Sequence, residues 1–204
     1  MKSVIRLSLV ILLTVGMAFL PACAKEPDLG LDDSEEMLKS MEMPLGNKKT
    51  LTLYVIGKKR EDVGLCGVRE VRVYEGKRLL QSVLVREAIE NDGVDGIDEG
   101  YSACPTPEES AALKDVNFDG YPDLEVFAWF PNNSIPYYYW CWNNDARQFE
   151  YAFWLQLSEI DEENKQLIAW YKVENGLYHT DYYRVNEKNE LELVDREIED
   201  VRPK

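Results

Sequence analysis

Histidine is nearly absent from this chain: of 204 residues only His179 is one. That removes the Ser–His and Cys–His arrangements of nucleophilic catalysis and the imidazole clusters of zinc enzymes. No serine stands in a G-x-S-x-G elbow. Basic residues are scarce as well, with 23 Lys+Arg against 38 Asp+Glu and a formal net charge of −15. Nucleic-acid binding needs a clustered basic surface, so that partner class is excluded. The four cysteines, Cys23, Cys66, Cys104 and Cys141, lie far apart and match no CxxC ligand pattern. Carboxylates are abundant, but surface acids account for them better than a glycosidase pair does. The reading is of a protein that is not an enzyme.

The first residues read as an export signal. Lys2 and Arg6 precede an apolar run from Leu7 to Leu20, broken only by Ser8, Thr14 and Gly16. Such a run falls short of the roughly 20 apolar residues that span a bilayer. It ends in Leu20, Pro21, Ala22 and Cys23, which resembles the bacterial lipoprotein signal, with Cys23 as the acylated first residue of the mature chain. Residues 1–22 are therefore expected to be removed, leaving a domain on the extracytoplasmic side of a bacterial envelope, tethered by lipid. Outside the cytoplasm two of Cys66, Cys104 and Cys141 can form a disulfide. The spacing does not choose the pair.

Residues 23–49 are rich in Asp, Glu, Pro and Gly and predict an acidic tether, with a helical turn where Asp33 and Glu36 have capping-box spacing. The β domain is expected over 50–204. Leu51, Leu53 and Val55 alternate with polar residues, as do Val71 and Val73, and Glu75, Gly76, Lys77 predict a hairpin turn into 79–85. Strands are expected at 124–130, 137–142, 149–155, 166–173, 177–185 and 190–195, joined by Asn-, Asp- and Gly-rich turns. Thr106, Pro107 and Glu109 predict one short helix through Leu113. The fold class is mainly β, built of antiparallel meanders of hairpins.

Asp115, Asn117, Asp119, Gly120 and Asp123 fit DxNxDGxxD, the oxygen spacing of a calcium loop. Side-chain oxygens come from Asp115, Asn117, Asp119 and Asp123, and the backbone carbonyl of Tyr121 supplies another. Gly120 marks the sharp turn. The twelfth position is Val126 rather than a bidentate Glu, and Glu125 stands one place early, so the loop is not an EF-hand. One structural Ca²⁺ is expected; magnesium suits a flexible all-protein ligand set poorly. The acidic segment Asn91–Asp98 lacks alternating oxygen spacing and reads as a solvated loop.

Tyr137 to Trp142 place aromatics on both faces of one strand. Tyr138, Trp140 and Trp142 share a face. Either that face is a platform for a sugar or a protein partner, or both faces are buried against neighbours such as Tyr151 and Phe153.

The segments DVNFDGYPDLEVF (115–127) and YYYWCWNNDARQFEY (137–151) are similar to a family of FG-GAP-like, calcium-binding bacterial lipoproteins. VRVYEGKRLLQSV (71–83) resembles that family's first hairpin, and the resemblance covers roughly residues 65–195. Described members of the family are periplasmic immunity proteins that inhibit lysozyme-like effectors of a bacterial-killing type IV secretion system. The resemblance implies a propeller-like β fold, a structural calcium and a muramidase-inhibiting loop, although no inhibitory residue is carried over. The expected partners are the membrane, through the lipid on Cys23, and a basic peptidoglycan hydrolase or another envelope protein drawn to the acidic surface. The alternative is a carbohydrate- or ligand-binding surface module using strand 137–142.

Overall fold

Short polar turns set the topology. The computed structural model describes residues 27–46, 49–61, 64–92, 100–129 and 135–202. Within them β1 (Glu36–Pro44), β2 (Thr50–Arg60), β3 (Leu65–Glu75) and β4 (Arg78–Leu84) form one antiparallel sheet in chain order. The turn from β3 to β4 runs through Gly76, whose φ of 61° lies where a side chain is disfavoured. A helix, α1 (Val85–Asp92), follows. Next come β5 (Ala111–Lys114), β6 (Asp123–Phe127), β7 (Tyr137–Asn143) and β8 (Gln148–Leu155), forming the second sheet. The third sheet contains β9 (Glu159–Asp161), β10 (Gln166–Glu174), β11 (Leu177–Val185) and β12 (Leu191–Asp200). Each sheet is a meander, so every neighbour in a ladder is also the neighbour in sequence.

The second sheet lies between the other two. Its Leu124, Val126, Tyr138, Trp140, Trp142 and Phe149 pack with Leu53, Val55, Val71 and Val73 of the first sheet. On the opposite side Tyr139, Cys141, Phe153 and Leu155 pack with Leu167 and Ala169 of the third. A register shift lets β8 serve both cores. Tyr151 stands opposite Trp140 whereas Phe153 stands opposite Tyr139, with Ala152 as the extra residue between them.

Three local expectations are corrected. Residues 36–44 belong not to a tether but to β1, paired with β2 from Glu36↔Gly57 to Pro44↔Thr50. Burial of Met43 and the packing of Leu38 and Met41 on the first core outweigh the capping-box spacing, and no helical turn forms. Residues ahead of β1 are also held: Arg69 bonds Glu35 at 2.8 Å and Arg72 donates to the Leu29 carbonyl. At 106–113 the N-cap half of the capping box forms, with Thr106 Oγ1 receiving the Glu109 N–H at 3.3 Å, while Glu109 Oε2 takes the Thr106 hydroxyl at 3.0 Å. Only one turn results, because Ala111 to Lys114 gain a full ladder against β6. The helix lies instead at 85–92, where Val85 and Ala88 are buried against the first core.

Cys66 and Cys104 form the disulfide, beside a backbone bridge in which each residue's N–H reaches the other's carbonyl. Cys141 is free and buried.

Candidate metal centre

The loop 115–122 connects two paired strands, since Lys114 stands opposite Asp123 in the ladder of β5 and β6. Its side chains fold back onto its own backbone. The Asp119 N–H donates to Asp115 Oδ1 and to Asn117 Oδ1, both at 3.1 Å, which brings those two oxygens together around one hydrogen. Gly120 N–H donates to Asp115 Oδ2 at 2.9 Å, and Tyr121 N–H to Asp119 Oδ1 at 2.8 Å. The reversal needs two left-handed residues, Phe118 (φ 61°) and Gly120 (φ 89°). Glycine adopts this at no steric cost, whereas Phe118 is strained by about 1 kcal/mol.

Asp123 anchors the loop from behind. It is fully buried. Its Oδ2 accepts the N–H groups of Val116 (2.9 Å) and Asn117 (3.4 Å), and its Oδ1 accepts that of Trp142 in β7 (2.9 Å). Burial pushes its carboxyl up to about 7, against the pull of those donors and with a further push from the Asp119 charge. Behind the loop, burial raises the Cys141 thiol, and the charges of Asp123, Asp119 and Asp115 raise it further.

Comparison with family models, curated proteins and solved structures finds no match.

The donors fit a hard cation in type, since every side chain turned into the loop offers oxygen. Each carboxylate oxygen that accepts one N–H keeps a second lone pair. Among the described residues no three His, Cys, Asp or Glu side chains gather as a metal-binding group. A cation here would have to draw on the amide oxygen of Asn117 and on backbone carbonyls, Tyr121 being the expected one, as well as on Asp115 and Asp119. Asp123 is the residue least free to serve, because it is fully buried and takes three backbone N–H groups, two from the loop and one from β7. Glu125 is committed elsewhere: its Oε2 takes the Lys114 ammonium at 2.7 Å and the Tyr139 hydroxyl at 2.6 Å.

Two turns meet the loop. Asn117 Nδ2 donates to Asn189 Oδ1 at 3.2 Å, so the turn between β11 and β12 closes over it. A polar cleft of about 630 Å³ lies between this turn, the loop and the turn from β7 to β8, lined by Asn117, Asp119, Tyr121, Asp145 and Glu187 among others. Nothing in the local sequence signals Asn189, because the contact joins residues 72 apart.

Of the two readings of the aromatic strand, the structure has the buried one and not the exposed platform. Tyr138, Trp140 and Trp142 are 0%, 1% and 2% exposed, and Tyr139 on the other face is 0%. Both faces of β7 are core because its sheet is the middle layer. Trp140 packs edge-on to Tyr151 and Trp142 to Phe149. Among the described residues the exposed tryptophans are Trp154 on β8 and Trp170 on β10, the latter stacked on Tyr178. Cys23 and residues 93–98 of the second acidic segment lie outside the described residues; its first two, Asn91 and Asp92, end α1 rather than lying in a loop.

Proposed function

We propose that this chain is an exported, lipid-tethered calcium-binding β domain that acts by binding and inhibiting a basic cell-wall hydrolase, in the manner of an immunity lipoprotein. The observation that carries the reading is the loop 115–123, where oxygens of Asp115 and Asn117 meet on the Asp119 N–H at the end of a β hairpin and Asn117 touches the turn between β11 and β12. Calcium would supply charge neutralisation there, and Asp115, Asn117 and Asp119 would hold it. The chain's own residues fix the geometry: Asp123 ties the loop to β7 and Asn189 ties it to the third sheet.

Further support comes from three features. The leader ending at Cys23 and the Cys66–Cys104 disulfide suit an oxidising compartment outside the cytoplasm. Each sheet is a four-stranded meander, the blade unit of propellers, which accords with the propeller-like family it resembles. The formal net charge of −15 favours a basic partner.

The test is thermal unfolding of the full-length chain in detergent with calcium, magnesium or a chelator, alongside Asp119→Ala. Calcium should raise the midpoint of the wild type and leave the variant unmoved, because a ligand of the native state stabilises it. The inhibitor reading further requires the protein to suppress clearing of a peptidoglycan suspension by a basic muramidase. A calcium-insensitive protein with no effect on clearing would sink both parts.

A further inference from the structure

We infer that β12 is a docking edge for an extended segment whose residues alternate basic and apolar. β12 is the outermost strand of its sheet and, among the described residues, pairs with β11 alone. Its free side can be read from the ladder. Val201 N–H bonds the Gly176 carbonyl, and hydrogen-bonded and non-bonded pairs alternate from there. Glu199, Glu197 and Asp195 therefore exchange bonds with β11, whereas Arg196 and Ile198 turn their N–H and C=O groups away from it; the Arg196 N–H is taken by Asp195 Oδ1 at 2.8 Å, which an incoming strand must displace, and the Ile198 groups carry no bond to β11. An unpaired edge of this kind is a template for strand addition.

The side chains specify the strand it would accept. Asp195, Glu197 and Glu199 stand opposite Tyr182, Thr180 and Tyr178 and share one face. The other face carries Leu193 and Ile198, 49% and 61% exposed, with Arg196 between them. The charge of Arg196 is already spent on the buried Asp181, through bonds of 2.5 and 2.7 Å. One face is thus a row of carboxylates without cations from β11 opposite them, and the other an apolar row. An added strand sets its own alternate residues against each row, so lysine or arginine fits the first and valine, isoleucine or leucine the second. A second copy of this chain is disfavoured, because self-pairing would bring the two acidic rows together. The inference rests on reading the chain as a protein-binding domain and names the surface that does the binding.

The experiment measures binding of three labelled peptides to the full-length chain in detergent by fluorescence anisotropy. One alternates lysine and valine, one alternates glutamate and valine, and one has the first composition with its lysines in a block. The alternating lysine peptide should bind at least roughly tenfold more tightly than the other two. Ile198→Pro should abolish binding without unfolding the domain, since that N–H makes no bond to β11. Glu197→Lys with Glu199→Lys should transfer the preference to the glutamate peptide. Equal binding of the blocked and alternating peptides, or full binding by Ile198→Pro, would overturn the assignment. The same variants in the peptidoglycan assay separate the two claims. Inhibition by wild type that survives Ile198→Pro rejects the edge and keeps the inhibitor, whereas peptide binding without inhibition keeps the edge and rejects the inhibitor.

Discussion

Replacing Asp123 by Asn tests how the loop is held. The substitution keeps the shape but exchanges one acceptor oxygen for an NH₂ group. Turned to accept from Val116 and Asn117, the amide presents its NH₂ to the Trp142 N–H; turned the other way, it loses two bonds instead of one. A buried donor left without an acceptor costs about 1–3 kcal/mol, and facing donors repel, so a loss of about 2–3 kcal/mol is expected at pH 5. The pH profile gives an independent sign. In the native protein the carboxyl is pushed up to about 7, against roughly 3.9 in an unfolded chain. Between those values the folded state binds the proton more tightly, so stability without metal falls as pH rises, by ~4 kcal/mol in all. Glu70 and Asp181 shift the opposite way, because arginine partners outweigh the effect of burial, and they titrate below this window. Urea denaturation from pH 5 to 8 in chelator should show the decline in wild type, its absence in Asp123→Asn, and its reduction by calcium. A wild-type midpoint that stays flat, or a variant that keeps the slope, would refute the account.

Two further outcomes concern stability away from the loop. Cys66→Ser with Cys104→Ser should cost about 4 kcal/mol in urea denaturation, the loop entropy expected for cysteines 38 apart; an unchanged midpoint would mean that the bridge is dispensable. Arg196→Ala strips the buried Asp181 of its cation and should lower the urea midpoint at pH 7, with the Tyr171 and Tyr183 hydroxyls left to hold the carboxylate, whereas the further change Asp181→Asn should recover part of that loss.

What the sequence made legible was local. Turns such as Glu75–Lys77 and Asn175–Gly176, flanked by alternating apolar residues, name their own hairpins, and DxNxDGxxD names its own loop. Competition between elements was not legible. Thr106 and Glu109 carry a helix-start signal and make its N-cap bond, yet the strand at 111–114 wins because β6 offers a partner. Met37 to Met43 look like linker until β2 is beside them. The aromatic strand showed that both faces are apolar, but only the layer order reveals that neither meets solvent. Asp123 was expected to be one ligand among several, and its role as an anchor depends on Trp142, a residue brought near by the fold.

The strict order of the three meanders bears on how such a chain can be enlarged. No strand of one sheet is threaded between strands of another, so a cut at 156–158 severs covalent continuity without breaking a β5–β8 ladder. Duplicating one four-stranded stretch in the gene would add a whole layer and leave existing registers intact. The outer face of the third sheet, where Trp170 stands exposed and stacks on the half-buried Tyr178, offers such a layer an apolar contact.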